Sequence, residues 1–83
     1  MIAEAPKALI EVVSDTDVHT STLAETIAAW AGVEVVYETS GSEDLVIVVE
    51  ADDTDELNAM VEEIRKIPNV RSTRTRLILK EVF

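Results

Sequence analysis

Residues 64–79, IRKIPNVRSTRTRLIL, contain the end of a helix, a turn and a strand in one short stretch. Pro68 cannot continue a helix, and Arg65 and Lys66 stand just before it, where the helix dipole favours cations. The segment after Asn69 opens with hydroxyl side chains and closes with an apolar triplet. The stretch therefore predicts a helix that returns into a strand, and the first half of that strand has a role other than ordinary core packing.

Outward from this stretch, the hydrophobic pattern predicts six elements in the order strand, helix, strand, strand, helix, strand. The strands are expected over about residues 7–13, 33–39, 44–50 and 70–82. The helices are expected over about residues 21–31 and from Asp53 to Ile67. Two halves of this kind favour an α+β, ferredoxin-like βαββαβ sandwich, in which four antiparallel strands carry two helices on one face.

Each helix has an apolar stripe and a start signal. In the first helix, Leu23, Ile27 and Trp30 fall on one face, and Thr22 with Glu25 matches a capping box. The second helix starts at Asp53 with acidic residues in its first turn, where the helix dipole favours them. Its expected buried stripe consists of Leu57, Met60, Val61, Ile64 and Ile67.

The third strand is apolar on both faces. Leu45, Ile47 and Val49 point to one side, whereas Val46 and Val48 point to the other. Helices cover only one face of a two-layer sandwich, so we expect a second copy of the chain to cover the other face, as in a dimeric αβ-barrel. A central strand that is merely apolar is the alternative.

Composition narrows the class of protein. With 83 residues the chain forms one domain at most, and a domain of this size buries only about 60% of its unfolded surface. The net charge of -10 opposes nucleic-acid binding. The longest apolar run, residues 45–49, is too short to span a membrane, and no signal peptide is evident, so the expected location is the cytoplasm. Abundant acids with few lysines would also suit a halophilic source.

Catalytic and metal chemistry find little support. The sole histidine, His19, lies in a polar loop, and no nucleophile stands beside a base. The acidic run 50–56 lacks the central glycine and the spacing of a calcium loop. Glu43 and Asp44 form a carboxylate pair without convergent partners. We therefore expect no enzyme activity, no cofactor and no metal.

The basic residues are concentrated at the end of the chain. Six of the 7 lysines and arginines follow Ile64, whereas 16 of the 17 acids precede residue 65. Strand alternation sends Arg74 and Arg76 to one face and Arg71 to the other. Pairing with nearby acids is the simpler interpretation, and binding of a ligand carboxylate is the alternative.

Three motifs, in order, resemble a known family. Residues 32–45 are similar to a Gly-Val, strand and Gly-x-x-Asp pattern, and residues 53–58 are similar to the usual start of the second helix. Residues 67–75 are similar to an Ile-Pro-Gly-Val-x-Ser-Thr-x-Thr signature, with Asn69 in place of glycine. The chain thus resembles, over essentially its whole length, the ligand-sensing C-terminal (RAM) domain of the Lrp/AsnC transcription regulators.

The resemblance implies a ferredoxin-like domain that dimerises through its sheets, builds higher rings and binds an amino-acid effector between dimers. Carried over by position, the effector site comprises Gly41, Ser42, Glu43 and Asp44 from one turn, with Ser72, Thr73 and Thr75 from the last strand. The backbone at Gly41 can approach a ligand closely because glycine lacks a Cβ. Asp44 can accept from an ammonium group, and the hydroxyls can meet a carboxylate, although threonine also favours strands.

We therefore expect residues 1–83 to be a single, stand-alone effector-binding and oligomerisation domain without a helix-turn-helix domain. It would form homodimers and larger rings, bind a small amino acid, and modulate assembly, with full-length Lrp/AsnC regulators as candidate partners. Direct contact with nucleic acid or a membrane is not expected. A purely structural assembly module and a small dimeric αβ-barrel enzyme are the alternatives.

Overall fold

Six elements follow one another in the predicted order. The computed structural model describes residues 6–15, 20–40 and 44–82. The strands are β1 (Lys7–Ser14), β2 (Val33–Glu38), β3 (Leu45–Glu50) and β4 (Val70–Ile78), and the helices are α1 (Thr20–Ala28) and α2 (Thr54–Arg65). The α+β class and the βαββαβ order are confirmed. Within the described ranges, no helix is long and apolar enough to cross a membrane.

The strands form one antiparallel sheet in the order β2-β3-β1-β4. β1 is therefore paired on both edges. Val12, near its end, lies opposite Leu45 of β3 on one side and Thr73 of β4 on the other. At the opposite end of the sheet, Lys7 lies opposite Glu50 and Ile78. This arrangement places the start of β3 and the start of β4 on either side of the same strand end.

One face of the sheet carries both helices and the core. Ala8, Ile10 and Val12 of β1 are each 0% exposed, as are the three alternate residues of β3 that pair with them. The helices contribute Leu23, Ala24, Ile27, Leu57 and Ile64 to the same cluster, with Trp30, Met60, Val61 and Ile67 packed at its margin. Both predicted helical stripes are confirmed. The two-period burial of β1 and β3 follows from strand geometry, because successive side chains point to opposite faces.

The other face of the sheet carries no helix among the described residues. Leu9, Val46 and Val48 lie there, each half-buried, so the prediction that β3 is apolar on both faces is confirmed. The Glu11 carboxylate also lies there with a side-chain exposure of only 13%, and the Nε of Arg76 lies 2.9 Å from its Oε1. We call this surface, formed by Leu9, Glu11, Val13, Val46 and Val48, the open face.

An ion-pair cluster marks the end of the open face distant from Ser14. The ammonium of Lys7 lies 3.3 Å from Glu34 Oε1 and 3.7 Å from Glu50 Oε2. The hydrogen bond and charge of Glu34 raise the pKa of Lys7, and the charge of Glu50 adds to the effect. The cluster connects three adjacent strands through a single cation.

The start of α2 is confirmed and the start of α1 is not. The Asp53 carboxylate accepts a hydrogen bond from the backbone N–H of Glu56 at 2.8 Å, as expected of an N-cap. In contrast, α1 begins at Thr20, so Thr22 lies inside the helix and its carbonyl accepts from the Thr26 hydroxyl. The predicted capping box at Thr22 and Glu25 is therefore wrong.

The end of the last strand also differs from expectation. The last strand is predicted to run to about Val82, with its apolar triplet in the sheet core and at a dimer face, yet β4 ends at Ile78 and Leu77 is 55% exposed instead of lying in the core. Leu79 is 92% exposed. The reason is the strand order, since β4 is an outer strand and pairs, within the part of the chain that the structure describes, with β1 alone.

Gly32 occupies a position that other residues cannot adopt without strain. Its φ is +87°, and a Cβ added there would lie 2.9 Å from the Glu50 carbonyl oxygen and 3.0 Å from Met60 Cε. The Met60 side chain can move, but the Glu50 backbone is held because its N–H donates to the Gly32 carbonyl at 2.8 Å. A residue other than glycine is therefore disfavoured at position 32 for two reasons, the positive φ and the fixed Glu50 carbonyl.

We predict that Gly32→Ala lowers the free energy of unfolding by about 1–3 kcal/mol, because a non-glycine residue is strained at this φ and meets a fixed carbonyl. Urea denaturation measures the change. Ala31→Ser, an exposed neighbour, is the control and should stay within about 0.5 kcal/mol of wild type. If Gly32→Ala had an equally small effect, the conclusion that position 32 requires glycine would be wrong.

Candidate functional site

Three of the four predicted site residues that the structure describes, Asp44, Ser72 and Thr73, lie near the end of β1. Asp44 immediately precedes β3, and Ser72 and Thr73 lie near the start of β4. The β1–β4 pairing shifts register between Val13 and Ser14, so that Val13 lies opposite Ser72 and Ser14 opposite Val70. The other predicted turn residues, Gly41, Ser42 and Glu43, lie outside the described residues, as does His19.

Asp44 is held by three hydrogen bonds. Its backbone N–H donates to the Val12 carbonyl at 2.9 Å, and its carbonyl accepts from the Thr39 N–H at 3.0 Å. Its carboxylate Oδ2 accepts from the Ser14 N–H at 2.7 Å. The side chain therefore supports the end of β1, where the register shift removes a regular ladder position. The second carboxylate oxygen retains acceptor capacity for a ligand.

The hydroxyls of β4 divide between the two faces of the sheet. Thr73 and Thr75 lie opposite Val12 and Ile10, which places them on the helix-covered face, whereas Ser72 lies opposite Val13 on the open face. Thr73 is half-buried, and Ser72 and Thr75 are exposed. Ser72 and Thr73 are thus near one end of the sheet, whereas Thr75 lies opposite Ile10 in the middle of β1.

Asp44 and the hydroxyls lie on opposite sides of β1. Two inter-strand spacings separate the start of β3 from the start of β4, which corresponds to about 10 Å. The ammonium and carboxylate of an α-amino acid share one carbon atom, so a single head group cannot reach both sets of groups in one chain. The structure brings them to the same end of the sheet but does not bring them together.

An open cleft of about 200 Å³ lies where α2 returns into β4, lined by Arg65, Val70, Arg71, Ser72 and Thr73. Two backbone hydrogen bonds stabilise this turn. The Ile67 N–H donates to the Ile64 carbonyl, and the Val70 N–H donates to the Ile67 carbonyl. These bonds bring the last turn of α2 beside the first residues of β4. Two of the predicted site residues, Ser72 and Thr73, thus line the cleft.

Two residues of this region are not identifiable from the sequence as site residues. The sequence assigns Arg65 only to the helix end, and its place in the cleft follows from the tight return that places it beside Arg71. The Ser14 side chain is 5% exposed, and its hydroxyl has no hydrogen-bond partner among the described residues. The sequence assigns Ser14 to a loop, because nothing in the pattern indicates that β1 extends one residue beyond the apolar Val13.

The prediction that the arginines pair with nearby acids is confirmed in part. Arg71 Nε lies 3.6 Å from Asp15 Oδ1, and Arg76 lies beside Glu11 on the open face. Arg65 lies 3.3 Å from Glu62 within α2. The pairs of Arg65 and Arg71 are exposed on both sides, so each is expected to add about 0–1 kcal/mol to stability.

Known protein families and sequences include matches to nearly the whole of this chain. The sequence model of the Lrp/AsnC ligand binding domain matches residues 7–83. The homocitrate synthase of Sulfolobus acidocaldarius is 44% identical over 75 residues, which is 90% of this chain but 16% of that enzyme. The chain therefore spans about one sixth of the length of this relative.

Solved structures show the same fold. The crystal structure of TTHA0845 from Thermus thermophilus superposes with a TM-score of 0.84 and 28% identity, covering 93% of this chain and 96% of that one. A transcriptional regulator of Neisseria meningitidis, crystallised as a complex with L-Met, superposes with a TM-score of 0.80 at 16% identity, covering 94% of this chain and 52% of the regulator.

We predict that Asp44→Ala lowers the free energy of unfolding by about 1–3 kcal/mol, because the Ser14 N–H loses its acceptor. Asp44→Asn keeps a side-chain oxygen and should lose less. Urea denaturation of the two variants measures the difference. If Asp44→Ala were as stable as wild type, the carboxylate would have no supporting role at the end of β1.

Proposed function

The chain belongs to the Lrp/AsnC ligand-binding domain family, and we propose that it is a sensing module that binds a small amino-acid effector between subunits and thereby modulates assembly. One observation carries the proposal. The end of β1 has a carboxylate on one side, from Asp44, and on the other side a cleft whose lining residues include Ser72 and Thr73. These groups complement the ammonium and the carboxylate of an amino acid.

The separation of these groups supports a site shared between copies. A head group that cannot reach from Asp44 to Thr73 within one chain can contact Asp44 of one copy and the hydroxyls of another. Such a ligand stabilises the assembly that contains it, because it binds only when both copies are present. The effector contacts proposed for Gly41, Ser42, Glu43 and Thr75 belong to the same arrangement.

The open face supports association through the sheets. Its centre is apolar at Leu9, Val46 and Val48, and its one strongly shielded carboxylate, Glu11, is already neutralised by Arg76. A second copy placed there would bury apolar surface without leaving that charge unpaired. These features support the proposed homodimer of the dimeric αβ-barrel type, from which the proposed larger rings would be built.

Two kinds of partner are proposed for the assembled module. One is a full-length Lrp/AsnC regulator, as the family name suggests. The other is a biosynthetic enzyme, because the homocitrate synthase relative carries a region similar to nearly this entire chain. In either setting the module itself catalyses no reaction. Light scattering of mixtures with one partner or the other, with and without effector, distinguishes the two settings.

We predict that calorimetric titration with the twenty amino acids detects binding of at least one of them at millimolar concentration or below. Thr73→Val should weaken that binding about two- to tenfold, since a hydrogen bond between neutral groups contributes about 0.5–1.5 kcal/mol. Thr26→Val, at an exposed position of α1, is the matched control and should leave the affinity unchanged. If all twenty amino acids are silent and the oligomer does not respond to them, the purely structural module is the better account.

The two faces of β3 give a paired prediction for association. Val46→Asp places a charge on the open face and should shift sedimentation towards monomer while the chain stays folded. Ile47→Asp places the same charge in the fully buried core and should unfold the chain, because an unpaired buried charge is costly. A Val46→Asp variant that sediments like wild type would show that the open face is not the subunit contact.

A further inference from the structure

The cleft between α2 and β4 has a lining suited to anions. Four of its five residues, Arg65, Arg71, Ser72 and Thr73, carry polar hydrogen-bonding side chains, and Val70 is the fifth. Each guanidinium presents five N–H donors and no acceptor, and each hydroxyl can donate as well. Among the described residues that line the cleft, none is acidic. A ligand there meets donors and positive charge.

The internal ion pairs of the two arginines leave most of these donors available. Arg65 uses one terminal nitrogen, Nη1, towards Glu62 at 3.3 Å, and Arg71 uses Nε towards Asp15 at 3.6 Å. In both pairs each side chain is about half exposed or more. Exposed pairs of this kind are weak and rearrange readily. A bound anion therefore competes with water and with a loosely held partner.

The charge around the cleft also selects among anions. The chain carries a net charge of -10, and Glu62, Asp15 and the negative end of the α2 dipole lie near the two arginines. These groups oppose a ligand of high charge. A carboxylate carries a single charge on a planar group that matches the two parallel donors of a guanidinium.

We propose that this cleft binds a carboxylate of the effector, and that the effector is an amino acid with an acidic side chain. The inference rests on the proposed function and adds the class of ligand to it. Every α-amino acid brings the same ammonium, for which Asp44 of a neighbouring copy is an acceptor. A basic side chain adds a second cation, which the two guanidiniums repel, and a neutral side chain adds no charge. An acidic side chain adds a second carboxylate and a net negative charge, which the two guanidiniums attract.

Calorimetric titration of the full chain with glutamate and glutamine tests the proposal, because the two ligands have nearly the same shape and differ in charge. We expect glutamate to bind at least about tenfold more tightly than glutamine, since charge-assisted hydrogen bonds exceed neutral ones. Aspartate with asparagine, and 2-aminoadipate with its amide, extend the comparison to shorter and longer side chains. Raising the salt concentration should reduce the preference.

The variants Arg65→Gln and Arg71→Gln should each reduce the preference for the acidic ligand about tenfold, while the chain stays folded. Lys66→Gln is the matched control. It makes the same change of charge one residue from Arg65, at a side chain that pairs with Glu63 and does not line the cleft. The control should leave the preference unchanged.

Two results distinguish failure of this inference from failure of the proposed function. If a neutral or basic amino acid binds best and Arg71→Gln leaves its affinity unchanged, the cleft does not select acidic effectors, although the sensing function stands. If no amino acid binds at all, the sensing function fails and the class of effector fails with it.

Discussion

The pairing of β1 on both edges is the constraint on which the rest of the molecule depends. Because β3 and β4 each hydrogen-bond to it, their starts are fixed beside its end, and the two helices pack against the face that Ala8, Ile10 and Val12 present. The 2.7 Å hydrogen bond from Ser14 N–H to Asp44 then stabilises the point at which the ladder with β4 loses its register. The candidate site is thus built on a strand that is paired on both edges.

The sequence predicted well those features that depend on residues close together in the chain. The N-cap at Asp53 and the stripe of α2 could be predicted because capping and helical periodicity involve residues a few positions apart. The apolar character of β3 on both faces could likewise be predicted, because strand alternation is a local property. Leu77 was placed wrongly because its exposure depends on strand order, which is a property of the whole sheet. The capping signal at Thr22 was overridden because α1 begins two residues earlier.

The sequence identifies candidate site residues by their type, but it does not predict how they are arranged in space. Ser72, Thr73 and Asp44 could be selected by residue type and by resemblance, and all three lie at one end of the sheet. Their distribution over two sides of β1, with Ser72 on a different face from Thr73, depends on pairing register and on the shift at Ser14. Arg65 joins the cleft only because the return from α2 is tight. Strand register and the path of a return between two elements depend on the whole fold, and no short motif encodes them.

The position of the cleft offers a physical route from ligand to assembly. Ser72 lines the cleft and also lies opposite Val13 on the open face, so one strand contributes both to the proposed effector site and to the proposed subunit contact. A ligand that orders the start of β4 removes conformational freedom that association would otherwise have to remove. Linkage requires the reverse as well, since association that orders this segment must raise the affinity for the ligand by the same factor. Coupling of this kind needs no large conformational change, because the shared element is an outer strand of the sheet.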